Sequence, residues 1–222
     1  MSEKDLVEEE LTEEQKAHIA VLRRKFFRGV SIFSVFGTII LLIVLRFTSF
    51  NYKNVEDYDQ YVDHKDKFMR FNAAKALGNF KNNPKATATL VKMLGDEAKE
   101  VRWHAAASLS KLRDPISVSS LIQAVNSEKD ISAKSIDIYA LGQIADDRSV
   151  ELLKNLLYNP DKKLNVDDNK VIVFSVIQAI ASYNKDETNK ILTDFEKSKD
   201  TSSELKQFSI KMRAAKGIAE QQ

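Results

Sequence analysis

The sequence predicts an all-α protein: an α-solenoid of about four stacked helix pairs with capping helices, preceded by a single transmembrane helix. Three observations predict it. Segments rich in small residues recur every 32 residues between Asn72 and Ile144. A second set of apolar residues follows each of them in step. Upstream, 17 residues without a charge lie between Arg28 and Arg46.

Residues 1–28 form a tail of acidic and basic side chains that is expected to be partly helical and cytoplasmic. Thr12-Glu13-Glu14-Gln15 has the form of a capping box, with Leu11 placed as its staple, so a helix starts there and runs into the apolar segment. Gly29 to Leu45 rise about 1.5 Å each, about 25 Å in all, slightly short of a ~30 Å hydrocarbon core. Snorkelling by Arg28 and Arg46, with phenylalanines 26, 27, 47 and 50 at the edges, supplies the remainder and sets a transmembrane helix over residues 29–47. A cleaved signal peptide fits less well, because 28 residues precede the run and no small-x-small site follows it.

The basic cluster Arg23, Arg24, Lys25 and Arg28 is topogenic, facing only Arg46 and Lys53 on the other flank. It keeps the N-terminus in the cytoplasm and places the following domain in the periplasm, anchored in a bacterial inner membrane. Ser34, Gly37 and Thr38 set small side chains on neighbouring faces of the span, a candidate contact for another membrane helix. Residues 48–54 are a short linker that holds the domain close to the bilayer.

Residues 55–219 are expected to be the solenoid. Val55 to Val62 reads as a lone N-terminal cap helix, 55–63, because Tyr58 and Val62 fall in register with Leu90 and Leu94. The repeats occupy 64–196. Their first helices are marked by Asn72 to Phe80, His104 to Leu112 and Ile136 to Ile144, and a fourth copy ends at Tyr183, displaced by 39 residues. Their second helices are marked by Leu90/Val91 with Leu94, Leu121/Ile122 with Val125, Leu152/Leu153 with Leu156, and Ile191/Leu192 with Phe195. The i, i+1, i+4 spacing is the buried stripe of a helix. One short pair cannot bury both its sides, whereas stacked pairs form a continuous core. The alanines 73, 74, 76, 105, 106, 107 and 140 suit close helix approach. A closing helix over 203–219 is expected to bury Leu205, Phe208, Met212 and Ala215, with Ile210 off that stripe.

Val101-Arg102-Trp103-His104-Ala105-Ala106-Ala107-Ser108-Leu109 followed by Asp114-Pro115 resembles the HEAT-repeat family, in particular its short phycobilisome-lyase-like members. Met69-Arg70 and Tyr139-Ala140-Leu141-Gly142 are similar in the flanking copies, while the fourth has Val173 at the arginine position and a longer loop, Asn159 to Lys170. The resemblance implies that Arg70, Arg102 and Asp114 tie turn to helix, and that the second helices line the concave side.

Composition limits the chemistry. Residues 51–222 hold 27 of the 34 basic and 25 of the 32 acidic side chains, so the domain has no phosphate-binding surplus and nucleic acid is excluded as a partner. Cysteine is absent, which removes disulfides, thiolate metal sites and thiol catalysis. None of His18, His64 and His104 has a second histidine at i+4 or an adjoining glutamate, and no phosphate loop or nucleophile elbow occurs, so no enzyme, metal or cofactor is expected. Asp146/Asp147 and Asp167/Asp168 read as turn residues.

The expected role is that of a membrane-anchored scaffold or adaptor for a protein partner. On the implied concave side, Thr89, Ser120, Glu151 and Lys190 form one outward row and Lys92, Gln123, Lys154 and Thr193 another; the rows suit a protein-binding face and equally an ordinary solvated one. Two alternatives stand beside this: an accessory subunit held in a membrane complex through its transmembrane helix, and, from the resemblance alone, a lyase-like cofactor chaperone.

Overall fold

Helix starts are written into the turns. In the computed structural model, which describes residues 54–183 and 185–215, the first helices are α2 (Lys67–Leu77), α4 (Lys99–Leu112), α6 (Ile131–Ile144) and α8 (Val166–Ala181). Asp66 accepts from the Phe68 amide at 2.9 Å, Asp130 from Ala133 at 3.0 Å and Asn165 from Asp168 at 2.7 Å, each satisfying an orphan N–H worth about 1 kcal/mol. The second helices are α3 (Pro84–Met93), α5 (Val118–Ser127), α7 (Val150–Tyr158) and α9 (Asp186–Lys197). Asn83 caps α3, and Asp114 and Asp146 cap the 3-10 turns Pro115–Ser117 and Asp147–Ser149 that lead into α5 and α7. Before the repeats lie a 3-10 turn, Val55–Tyr58, and α1 (Asp59–Val62); after them comes α10 (Ser203–Ala215). Every regular element among the described residues is helical.

The predicted tail, the transmembrane helix over 29–47 with its candidate contact residues Ser34, Gly37 and Thr38, the topogenic cluster and most of the linker fall outside the described residues, as do residues 216–219. Among the described residues no helix is long and apolar enough to cross a membrane.

First helices pack on one another along the stack and each packs on the helix that ends the preceding repeat, while successive second helices approach much less closely. Leu77, Leu109, Leu141 and Ile180, spaced 32, 32 and 39 residues apart, are all buried, each contributing about 1.5–3 kcal/mol. Small residues let the backbones meet. A Cβ on Gly142 would lie 2.4 Å from the Ala179 Cα, and one on Gly78 would lie 2.6 Å from the Ser108 Oγ. Ser108 Oγ in turn donates to the Ala74 carbonyl at 2.7 Å. Alanines 73, 74, 105, 106 and 140 are buried in these joints.

Arginines join the first repeats. Arg70 donates to both Asp96 oxygens, at 2.7 and 3.0 Å, and to the carbonyls of His64 and Lys65. Arg102 repeats the pattern, with Glu128 at 2.6 and 2.9 Å and the carbonyls of Asp96 and Glu97. Each guanidinium therefore ties the turn before its helix to the turn after its repeat. Asp114 does this at the opposite edge, accepting from Thr87 Oγ1 of the preceding repeat at 2.8 Å.

The closing helix departs from its expected stripe. Phe208 meets the Phe174 ring edge-on at 4.6 Å, but Ala215 is exposed, and the buried residues of α10 are Ser209 and Arg213. Glu196 is the reason. It holds the place in α9 that Val125 and Leu157 hold in α5 and α7, and its two oxygens accept from Ser209 at 2.7 Å and Arg213 at 2.8 Å. A hydrophobic pattern cannot register that joint.

Candidate interaction surfaces

The eight polar residues expected on one face lie on second helices, two each on α3, α5, α7 and α9. They do not form continuous rows. The fully buried anchors of these helices are Leu90, Leu121, Leu153 and Leu192, so the step into the third repeat is 32 residues and not the 31 that relates Thr89 to Ser120 and Ser120 to Glu151. Thr89 and Ser120 consequently adjoin the core and are half-buried, whereas Glu151 and Lys190 point to solvent. Of the second row, Lys92 is held by Asp63 at 2.7 Å, Lys154 lies 4.0 Å from Glu151, Thr193 donates to the Asn189 carbonyl, and Gln123 is exposed.

Two other features stand out. The first is an aromatic strip across the first helices of repeats 1 and 2. Phe68 meets Phe71 at 5.5 Å, Phe71 stacks on His104 at 5.0 Å and 17°, and His104 meets Trp103 at 4.9 Å. Phe68 is 59% and Trp103 36% exposed, so the two ends of the strip face solvent. Burial, and after it Lys75 and Lys111, push the His104 imidazole below its ordinary value, which keeps it neutral at pH 7. The sequence signal for this strip was available in Phe71 and Trp103, which are 32 residues apart, but the Phe71–His104 stack is a contact between repeats that no single-helix pattern reveals.

The second is an open groove of about 630 Å³ beside the long loop, walled by Leu157, Tyr158, Val166, Val173, Phe195 and Leu205. The extra residues of the 39-residue step form the loop beside this groove, and Lys170 pairs with Glu204 across it.

Among the described residues no three His, Asp or Glu side chains come together as a metal-binding group. Asp146 is held down to about 2 by its hydrogen bond to the Arg148 side chain, and it caps a helix turn.

This is a chain of helix pairs with arginine-tied turns and alanine-lined joints, and comparison with known families agrees: residues 58–137 match HEAT repeats and residues 138–159 match the PBS lyase HEAT-like repeat. The HEAT match ends just after the third pair, so α8, α9 and the closing helix extend the stack beyond it. No curated protein matches the chain.

Proposed function

We propose that this protein is a membrane-anchored HEAT-repeat scaffold, without catalytic activity of its own, that holds a protein partner within a membrane- or envelope-associated complex. HEAT repeats support the scaffold reading, because stacked pairs present an extended surface on a framework whose turns Arg70 and Arg102 clip internally. The uncharged run from Gly29 to Leu45 supports the anchor, and the Arg23 to Arg28 cluster supports a cytoplasmic N-terminus with the repeats in the periplasm.

The observation that carries the proposal is the aromatic strip ending in exposed Phe68 and Trp103. Large aromatic side chains fixed on a rigid support are what interface anchors are made of, and two exposed on adjacent repeats exceed the scattered apolar residues of an ordinary surface. The test is gentle detergent extraction with crosslinking of the full chain. Phe68→Ser with Trp103→Ser is expected to lose the partner while helicity and thermal stability hold; a partner retained by a folded double variant overturns this assignment. Lys92→Glu with Lys154→Glu tests the second-helix face in the same assay.

The small residues Ser34, Gly37 and Thr38 favour one further reading, an accessory subunit that docks through its membrane helix. Replacing residues 29–45 by an unrelated anchor separates the two, since loss of assembly with an intact Phe68/Trp103 surface sinks the scaffold reading.

A further inference from the structure

Cations of the first two repeats fall into two groups. Lys67, Arg70, Lys85, Lys92, Lys99 and Arg102 each meet a carboxylate: Glu100, Asp96, Asp59, Asp63, Asp130 and Glu128 respectively. Lys75, Lys81, Lys111 and Arg113, like Lys65 and Lys129 at the opposite edge, meet none among the described residues, and Arg113 donates instead to the Gln143 amide oxygen at 2.9 Å. The first four share one edge of the stack, where first helices turn into second helices. Lys81, Lys111 and Arg113 line a single open pocket there, of about 590 Å³, with Asn79 and Gln143.

Helix dipoles explain part of this. Lys75 and Lys111 lie in the last turns of α2 and α4, where cations complement the carbonyl ends. Lys81 and Arg113 lie past those ends, in the turns, and have no such partner.

The chain enters the solenoid at the same edge. Lys85 meets Glu56 at 3.4 Å and Asp59 at 2.8 Å, and the Tyr58 ring meets Phe80, the neighbour of Lys81, at 5.8 Å. Only residues 46–53 separate the apolar run from Asn54, a reach of about 28 Å when fully extended. Ile116, exposed in the next turn of this edge, adds an apolar side chain.

We infer that the edge formed by Lys81, Lys111 and Arg113 binds the phosphate groups of anionic phospholipids and lays the turns of repeats 1 and 2 on the bilayer. The inference rests on reading residues 29–45 as a membrane anchor. Three cations at an anionic surface shift the ratio of docked to undocked domain roughly 100-fold.

The cysteine-free sequence allows a clean test. A fluorophore is attached to Ser119→Cys, exposed on the first turn of α5, in the full chain, reconstituted into nanodiscs of phosphatidylcholine with or without phosphatidylglycerol. Quenching by headgroup-borne nitroxide is expected in the anionic discs and not in the neutral ones. It should fall roughly 100-fold in docking ratio for Lys81→Gln/Lys111→Gln/Arg113→Gln, whose melting temperature confirms its fold. A chain that enters both discs and is quenched equally, or in neither, overturns the inference alone. One that enters no disc overturns the anchor reading and this inference with it. Protection of the label in neutral discs by added polyglutamate overturns it in favour of an acidic protein ligand.

Discussion

The joint between repeats 1 and 2 is clipped by guanidinium groups, whereas that between repeats 3 and 4 is closed by backbone packing, by Tyr183 on the Asp146 carbonyl and by an exposed Lys185–Asp147 ion pair. In the first, Arg70 and Arg102 clip consecutive turns together, and Gly78 faces the Ser108 side chain before its backbone. In the last, the positions that correspond to those arginines are Lys134 and Val173; among the described residues no guanidinium clips these turns, and Gly142 lies directly against the Ala179 backbone. The difference shows that a solenoid tolerates degenerate repeats because the same joint closes in two ways, by clipping turns or by bringing helix backbones together.

Gly142→Ala is the sharpest way to break that contrast. Its new Cβ would meet a backbone atom that cannot swing aside, and the expected loss is about 3 kcal/mol in urea denaturation, against about 1 kcal/mol for Gly78→Ala. Equal costs would mean that the two joints are built alike.

Arg102→Met tests the clipped side. Glu128, with a side chain only 4% exposed, would be left buried without its cation, at an expected cost of about 2.5 kcal/mol. Lys134→Met should stay within about 0.5 kcal/mol, and a comparable loss there would extend the clip into the third repeat.

Asp137 stands where repeats 1 and 2 have Ala73 and Ala105, is 3% exposed and has no cation in ion-pair contact among the described residues. Burial, and after it Glu128, push its carboxyl up to about 8. The folded chain therefore keeps it protonated at pH values where an unfolded aspartate, with a pKa of about 4, is already ionised. Its penalty is absent below about pH 4 and grows as pH rises toward about 8. Asp137→Ala should stabilise the protein by about 2 kcal/mol at pH 8 and lose that advantage on acidification, measured by thermal denaturation across pH. A pH-independent gain would assign the effect to packing.

The smallest expected effect belongs to the exposed second-helix positions. Lys92→Glu with Lys154→Glu should change stability by less than about 0.5 kcal/mol, because both ion pairs are solvent-exposed. A larger loss would show that the second helices also carry a clip.

Much of the fold was legible because the first helices repeat their buried leucines at a fixed step, and because alanine and glycine leave few alternatives to close helix packing. The roles of Arg70, Arg102 and Asp114 followed from the family resemblance, and their bonds are those of turn-to-helix ties. Other parts were hidden by the nature of the signal. Four apolar residues in Leu152, Leu153, Leu156 and Leu157 fit two registers one residue apart, and only packing decides that Leu153 and Leu157 are the buried pair. That one-residue slip is what scattered the predicted second-helix rows. Glu196 with Arg213 and Asp137 are polar groups at apolar positions, so a hydrophobic pattern passes over them. Phe68, Phe71, Trp103 and His104 read singly as core or surface residues, and their union depends on a contact between helices that lie a full repeat apart.

The tight stacking of first helices beside loosely spaced second helices makes the domain resemble a book bound along one spine. Bending that fans the pages leaves the binding intact, so the compliant direction of the domain is the one that opens its second-helix side. A tug at either end is then expected to be taken up first as a change of curvature, ahead of helix unwinding, except at the last pair of second helices, which Tyr158 holds together by donating to the Ile191 carbonyl.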